Sequence, residues 1–199
     1  MIKAIIFDWG GVCCSGADQF SAPVLLNHFS LPAKEINKRA LDIENEFIEG
    51  KISKEEFWEK IIERLSIKNI TTKEELRNHY LSSYTLYPKV LEIAKKLKEN
   101  YKVALLSNLN EEMELHIQEN HNIKEYFNPM IFSYKVKLRK PGKKIYNLIL
   151  SQLNCKPKEA VFIDDSKENI KIANELGIKG ILFSCQEKLL KDLKKLNII

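Results

Sequence analysis

The chain reads as a doubly wound α/β fold, a parallel sheet with helices on both faces, carrying an inserted all-helical segment; three observations predict this. First, five short apolar runs, Ala4–Phe7, Val103–Leu106, Met130–Phe132, Ala160–Ile163 and Gly180–Phe183, are continuous rather than alternating, as strands buried on both faces are. Second, apolar residues between the later runs recur at helical spacing. Val90, Ile93, Ala94 and Leu97 form one stripe, Ile145, Leu148 and Ile149 another, and Ile170, Ala173 and Leu176 a third, closed by Gly177. Strand, helix, strand in repetition packs as a parallel sheet. Third, residues 16–86 contain no strand candidate.

That third stretch reads as helix throughout. Ile36, Ala40, Ile43 and Phe47 keep one helical period up to Gly50. Ser53 with Glu56 makes a capping box ahead of Phe57, Trp58, Ile61, Ile62 and Leu65, and Thr72 with Glu75 opens a further helix. A helical cap domain over residues 16–86 is expected on an α/β core made of residues 1–15 and 87–199, a division that suits one core plus an insertion in 199 residues. Phe57 and Trp58 are expected to form the core of the cap rather than to contact a ligand.

Composition excludes several function classes. With 44% hydrophobic and 30% charged residues, the chain is neither disordered nor fibrous. Its net charge of +5 comes from lysines that alternate with glutamates along helical stretches, the pattern of solvated faces. No basic block is interleaved with stacking aromatics, so no nucleic-acid partner is predicted. No apolar run reaches membrane-spanning length, and the run ended by Asp8 is too short for a signal-peptide core; a cytoplasmic protein without a membrane partner is expected. Cys13, Cys14, Cys155 and Cys185 show no C-x-x-C spacing and are expected to be reduced thiols, with Cys13 and Cys14 packing near the mouth of the site.

In a parallel sheet the ligand lies beyond the carboxyl ends of the strands, so the residues that follow each apolar run carry the functional information. The first run is followed by Asp8-Trp9-Gly10-Gly11, the second by Ser107-Asn108, the fourth by Asp164-Asp165-Ser166, and a basic segment after the third ends in Lys140-Pro141, with Pro141 suited to start a helix. Together these meet the needs of phosphoryl transfer, which rests on positioning and on neutralising charge. Converging carboxylates repel unless a hard divalent cation joins them, and oxygen ligands favour magnesium. Asp8 then serves as metal ligand and as nucleophile, forming an aspartyl-phosphate. The Ser107 hydroxyl and the Asn108 amide offer donors to phosphate oxygens, and Lys140 supplies a positive charge that favours ionised Asp8. Lys135, Lys137, Arg139 and Lys143 surround Lys140 in sequence, and geometry must decide among them. His28, His79, His116 and His121 lie away from the strand ends and receive no role.

At these residues the chain closely resembles the haloacid dehalogenase superfamily of phosphohydrolases, whose four motifs are matched in order by Asp8, Ser107, Lys140 and Asp164-Asp165. Asp-Trp-Gly-Gly-Val, Leu-Ser-Asn-Leu-Asn, Arg-Lys-Pro and Phe-Ile-Asp-Asp-Ser-Lys-Glu-Asn-Ile are similar to the branch that contains bacterial glucose-1-phosphate phosphatase and the phosphatase domain of soluble epoxide hydrolase. The resemblance implies that the Gly10 backbone carbonyl is a metal ligand, that Asp165 is a direct ligand, and that Asp164 binds directly or through water. The expected substrate is a small phosphorylated metabolite, such as a sugar phosphate; the oligomeric state is not predicted.

One position departs from most phosphatases of that superfamily, which carry a second Asp two residues after the nucleophile as general acid and base. Here it is Gly10. A positioned acid–base contributes about 10²–10⁴-fold, so leaving groups that need little protonation are expected to be favoured. Asp18 is a candidate substitute acid, against the simpler reading of a helix cap. Two other functions compete. A metal-independent dehalogenase also lacks the second Asp, but has no use for Asp164-Asp165. A catalytically weak binding or regulatory member draws its support from Gly10 alone.

Overall fold

Ala4–Phe7 forms β1 at the centre of a five-stranded sheet, in a computed structural model that describes residues 1–199 with the side chain of Gln19 left outside the description. The other strands are β2 (Lys102–Ser107), β3 (Met130–Phe132), β4 (Ala160–Asp164) and β5 (Lys179–Leu182). They run in the order β3-β2-β1-β4-β5, every pair parallel. Each predicted strand is therefore present, within a residue or two at its ends.

The crossover helices are α6 (Pro88–Leu97), α7 (Glu111–Asn120), the short α8 (Ser133–Val136), α9 (Lys143–Leu153), α10 (Lys167–Glu175) and α11 (Gln186–Lys195). Their stripes explain why the strands are apolar on both sides. Ile5, Phe7, Val103, Leu105, Val161 and Ile163 pack with Val90, Ala94 and Leu97, whereas Ala4, Ile6, Ala104, Leu106 and Phe162 pack with Ile145, Ile149 and Ala173. Gly177 ends the α10 segment at φ +87°, a backbone conformation suited to glycine.

Between β1 and α6 the described residues form a 3₁₀ turn (Gln19–Ser21) and the helices α1 (Pro23–Phe29), α2 (Ala33–Lys38), α3 (Leu41–Ile48), α4 (Lys54–Arg64) and α5 (Lys73–Ser82), with isolated β-bridges from Cys14 to Gly10 and Leu86 and no further strand. Both expected capping boxes exist: Ser53 accepts from the Glu56 amide and Thr72 from the Glu75 amide, each with the reciprocal bond. The continuous period expected from Ile36 to Phe47 is broken into α2 and α3 at Arg39 and Ala40. The break is stabilised from outside the helix: Arg64 donates to the Arg39 carbonyl at 3.0 Å and pairs with Asp42 at 2.9 Å. Ile36, Ala40, Ile43 and Phe47 stay buried on both sides of it.

The helical insertion is tied to the sheet domain by polar side chains. Glu112, buried on α7, accepts from the Trp58 indole at 2.9 Å and from Arg77 at 2.5 Å. Gly50, at φ +64°, lets the end of α3 approach the other domain so closely that a Cβ there would sit 2.4 Å from the Tyr134 carbonyl oxygen. Removing the carboxylate as Glu112→Ala leaves the buried Trp58 N–H without its acceptor, which costs about 1–3 kcal/mol, while the half-exposed Arg77 guanidinium turns to solvent at little cost. A fall in the denaturation midpoint of that order is expected, and an unchanged midpoint would show that this seam does not hold the insertion down.

Candidate active site

Register brings the predicted residues together. Phe7 lies level with Leu105 on one side and Ile163 on the other, so the next residues, Asp8 and Asp164, emerge side by side at the carboxyl edge, and the Asp8 amide donates to the Ile163 carbonyl at 2.9 Å. Ser107 ends β2 in the neighbouring position. All three side chains are buried, as is Lys140.

Lys140 joins them. Its Nζ lies 2.8 Å from Asp8 Oδ1 and 2.7 Å from Asp164 Oδ2, with its side chain only 1% exposed. The ammonium also sits 5.4 Å from the centroid of the Phe162 ring. The basic neighbours are turned elsewhere: Lys135 pairs with Glu114 at 2.6 Å, Arg139 with Glu49 at 2.7 Å and Lys143 with Glu175 at 3.4 Å. Geometry thus selects Lys140, as the Lys-Pro pattern does.

Asn108 is the reason Lys140 is so placed. Its side-chain amide donates to the Lys140 carbonyl and accepts from the Lys140 amide, both at 2.9 Å. Pro141 does not start a helix: Gly142 is the N-cap of α9, and its amide closes a tight turn onto the Arg139 carbonyl at 2.9 Å. That turn, rather than a first helical turn, presents the lysine.

Asp164 is oriented by a residue that sequence reasoning left without a role. The Asn169 amide donates to both Asp164 oxygens, at 3.0 and 3.1 Å, and the Ser166 amide donates to Oδ1 at 2.8 Å. The available signal was spacing: Asn169 lies one helical turn into α10, whose N-cap is Ser166, so its side chain reaches back to the strand end. Asp165 is exposed and faces Gly11, where a Cβ would come within 2.3 Å of the Asp165 carboxylate. Only glycine, here at φ +76°, permits that approach.

Carboxylate oxygens of Asp8, Asp164 and Asp165 all lie within 4.8 Å of one another, a set suited to one divalent cation. The electrostatics agree. Burial raises the Asp8 carboxyl and Lys140 lowers it, while Asp164 raises it further, leaving it at about 7. Burial lowers the Lys140 ammonium, but the two carboxylates outweigh it and hold the group above its ordinary value. Burial and the Asp164 charge also raise Asp165. A hard cation bound by oxygen ligands reverses this penalty, so the donor set fits magnesium.

The site opens into a cavity of about 330 Å³, at the small end for ligand sites. Asp8, Gly10, Ser107, Asn108 and Lys140 line its floor. The helical insertion supplies the roof: Glu44, Phe47 and Phe57 line the cavity together with Tyr80 and Tyr84. Phe57 therefore faces the cavity as well as packing in the insertion, which corrects the expectation of a purely structural role; Trp58 is the one committed to structure, through Glu112. Asp18 is a cap, accepting from the Phe20 amide at 2.8 Å, and is not among the lining residues. Cys13 and Cys14 donate to the carbonyls of Asp8 and Trp9, and burial pushes both thiols up, Cys14 to about 11, so neither is a ready nucleophile. None of the histidines lines the cavity.

A family model described as haloacid dehalogenase-like hydrolase matches residues 2–177. The chain belongs to this family. Among its relatives, the D-ribitol-5-phosphate phosphatase of Bacteroides thetaiotaomicron is 27% identical over 188 residues, which cover 90% of each chain. The phosphorylated carbohydrates phosphatase of Thermotoga maritima is 26% identical over 187 residues, covering 90% of this chain and 84% of that one. A crystal structure of a family enzyme from Bacteroides thetaiotaomicron, in complex with magnesium and inorganic phosphate, superposes with a TM-score of 0.78 at 27% identity, over 95% of this chain and 99% of that one.

A pH signature follows from Asp8. The folded protein without metal holds this proton up to about pH 7, whereas an ordinary carboxyl releases it near 3.8, so the folded state binds more protons across that window and loses stability as pH rises through it. The melting temperature of metal-free wild type is expected to fall relative to Asp8→Asn as pH rises across this window, and magnesium is expected to remove the difference. Parallel pH profiles for the two proteins would exclude Asp8 as the source.

Proposed function

We propose that the chain is a magnesium-dependent phosphomonoesterase that hydrolyses a small phosphorylated metabolite, of the sugar or polyol phosphate class, through an aspartyl-phosphate on Asp8. The observation that carries this is the buried Asp8 carboxylate held between Lys140 and the Asp164-Asp165 pair at the floor of a small roofed cavity. The names of its relatives support the substrate class. Residues 16–86 act as the cap over the reaction.

Trp9 N and Lys140 Nζ both engage Asp8 Oδ1, which leaves Oδ2 to attack phosphorus. The bond to the leaving oxygen breaks as the Asp8–phosphorus bond forms; water then attacks phosphorus, releasing inorganic phosphate and regenerating the carboxylate. Lys140 opposes the effect of burial on Asp8, favouring its ionised form, and offsets the phosphate charge. The Ser107 hydroxyl and the Asn108 backbone amide donate to phosphate oxygens as charge shifts onto them. Asp8, the Gly10 carbonyl, Asp164 and Asp165 are the residues that would hold magnesium, which would supply electrostatic neutralisation of carboxylates and phosphate. A dehalogenase attacks carbon without metal and gives three clustered carboxylates nothing to do; a pure binding module needs no shielded nucleophile.

Release of phosphate from an aryl phosphate with magnesium is the direct assay. Asp8→Asn is expected to lower it by at least about 10³-fold, since the nucleophile is lost, and a chelator to abolish it. Activity that survives in Asp8→Asn would remove the proposed intermediate.

Position 10 sets the leaving-group bias. A Cβ at Gly10 would meet nothing nearer than the Gly16 Cα at 3.8 Å, so a side chain can begin there without a clash at Cβ. With no acid at that position, aryl, acyl and anomeric phosphates are expected to react faster than primary alkyl phosphates, as a ratio of rates rather than an exclusion. Gly10→Asp should raise the alkyl/aryl ratio of kcat/KM by about tenfold or more; an unchanged or lower ratio would show that another group already protonates the leaving oxygen.

A further inference from the structure

The roof of the cavity holds a hydrogen-bond donor that the phosphate chemistry does not use. Tyr80, near the end of α5, lines the cavity and is otherwise buried. Its ring is fixed from two directions. Trp58, itself tied to Glu112 at 2.9 Å, packs edge-on against it with ring centroids 6.2 Å apart. Asn110 holds the hydroxyl end: its side-chain oxygen caps α7 by accepting from the Met113 amide at 3.0 Å, so its amide nitrogen faces Tyr80, to whose oxygen it donates at 2.7 Å. The phenol oxygen is thereby taken as an acceptor, and its own hydrogen finds no partner among the described residues. Burial pushes the Tyr80 hydroxyl well above its ordinary range, so it stays protonated and acts as a donor rather than as an acid.

The position of this donor decides what it can meet. Asn110 lies two residues beyond Asn108, so at most about 7 Å of backbone separates the phosphate donors of the floor from the residue that holds Tyr80. Floor and roof face each other across a cavity of about 330 Å³ that both Tyr80 and Asn110 line. An ester whose phosphate rests on the floor therefore brings the body of its leaving group to the Tyr80 hydroxyl. A donor whose oxygen is already occupied recognises acceptor oxygens. A substrate hydroxyl or carbonyl completes the bond, whereas a methylene in the same place leaves a buried donor unmade.

Resting on the phosphatase reading above, we propose that Tyr80 is a specificity-determining residue: oriented by Asn110, its hydroxyl donates to an oxygen on the body of a polyol or sugar phosphate and discriminates against esters with a hydrocarbon chain there. The role is one of binding, so it acts on KM more than on kcat. Asn110 is its positioning residue.

The test compares kcat/KM with magnesium on a terminal pentitol monophosphate and on n-pentyl phosphate, for wild type, Tyr80→Phe and Asn110→Asp. Both esters are primary alkyl phosphates of one chain length, so the glycine at position 10 affects them alike and their ratio reads the hydroxyls alone. Wild type is expected to prefer the pentitol ester by at least about tenfold. Tyr80→Phe should cut that ratio by about tenfold, through KM for the pentitol ester, and leave n-pentyl phosphate nearly unchanged. Asn110→Asp keeps a capping oxygen on α7 but accepts where the amide donated, so it draws the Tyr80 hydrogen away from the substrate. Its added charge lowers turnover of both esters, and the ratio should again fall by about tenfold. If n-pentyl phosphate turns over too slowly, its inhibition constant against an aryl phosphate stands in for KM. A wild-type ratio near one, a ratio retained in either variant, or an equal fall on both esters in Tyr80→Phe would overturn the proposal, the last result showing a packing role. Wild-type hydrolysis of the aryl phosphate is measured beside these: its failure would overturn the phosphatase reading and this proposal with it, whereas success without selection for the pentitol ester would overturn this proposal alone.

Discussion

Everything at this site hangs on one buried ammonium. Lys140 is fully enclosed, and it contacts both carboxylates that the sheet places side by side. Removing it would leave Asp8 and Asp164 facing each other in a low-dielectric pocket, a far larger cost than losing a surface ion pair. Its single charge is nevertheless insufficient for three carboxylates: with Asp165 counted, the cluster keeps two negative charges in excess, the deficit that one divalent cation cancels. The Asp8 pKa is raised first by burial, with the Asp164 charge adding to the rise and Lys140 opposing it. Metal affinity and nucleophile ionisation are therefore one property of this site, and the protein's own residues prepare for the cation by keeping their charge unbalanced.

The second constraint is the seam between the helical insertion and the sheet, because a cavity lined from both sides is only as well shaped as the contact between them. That seam is polar where it must be specific. Ser133 accepts from the Leu109 amide at 3.0 Å and donates to the Ile48 carbonyl at 2.5 Å, so one hydroxyl links the loop that carries Ser107 and Asn108 to the end of α3. Glu112 grips Trp58 and Arg77 from α7, and Asn110 grips Tyr80. The residues that follow β2 therefore do two things at once: they place phosphate donors on the floor and fix the roof above them.

Much of this was legible in the sequence, for reasons that differ by element. The strands were readable because burial on both faces leaves continuous apolar runs such as Ala160–Ile163. The floor was readable because a parallel sheet delivers its strand-end residues to one edge, so Asp8, Ser107 and Asp164 could be assembled without coordinates. What stayed hidden depends on side-chain direction. Asn169 and the Asn108 side chain are ordinary polar residues until their hydrogen bonds to Asp164 and Lys140 are seen. Phe57 sits on an amphipathic helix whose inner face reads as packing, yet that face is shared between the core of the insertion and the cavity. The break at Ala40 was invisible to periodicity because buried residues continue in step on both sides of it.

The two halves of the reaction are thus governed by different parts of the chain. The proposed phosphate capture belongs to the floor, where the strand ends converge on Asp8 and hydrogen bonds hold Asp164 and Lys140 in place. Leaving-group selection belongs to position 10, where a glycine withholds an acid, and to the residues of the insertion that roof the cavity. A protein that gives up general-acid assistance loses rate on alkyl esters, and binding energy from hydroxyls remote from phosphorus is one means to recover it, provided those contacts strengthen as the leaving oxygen departs.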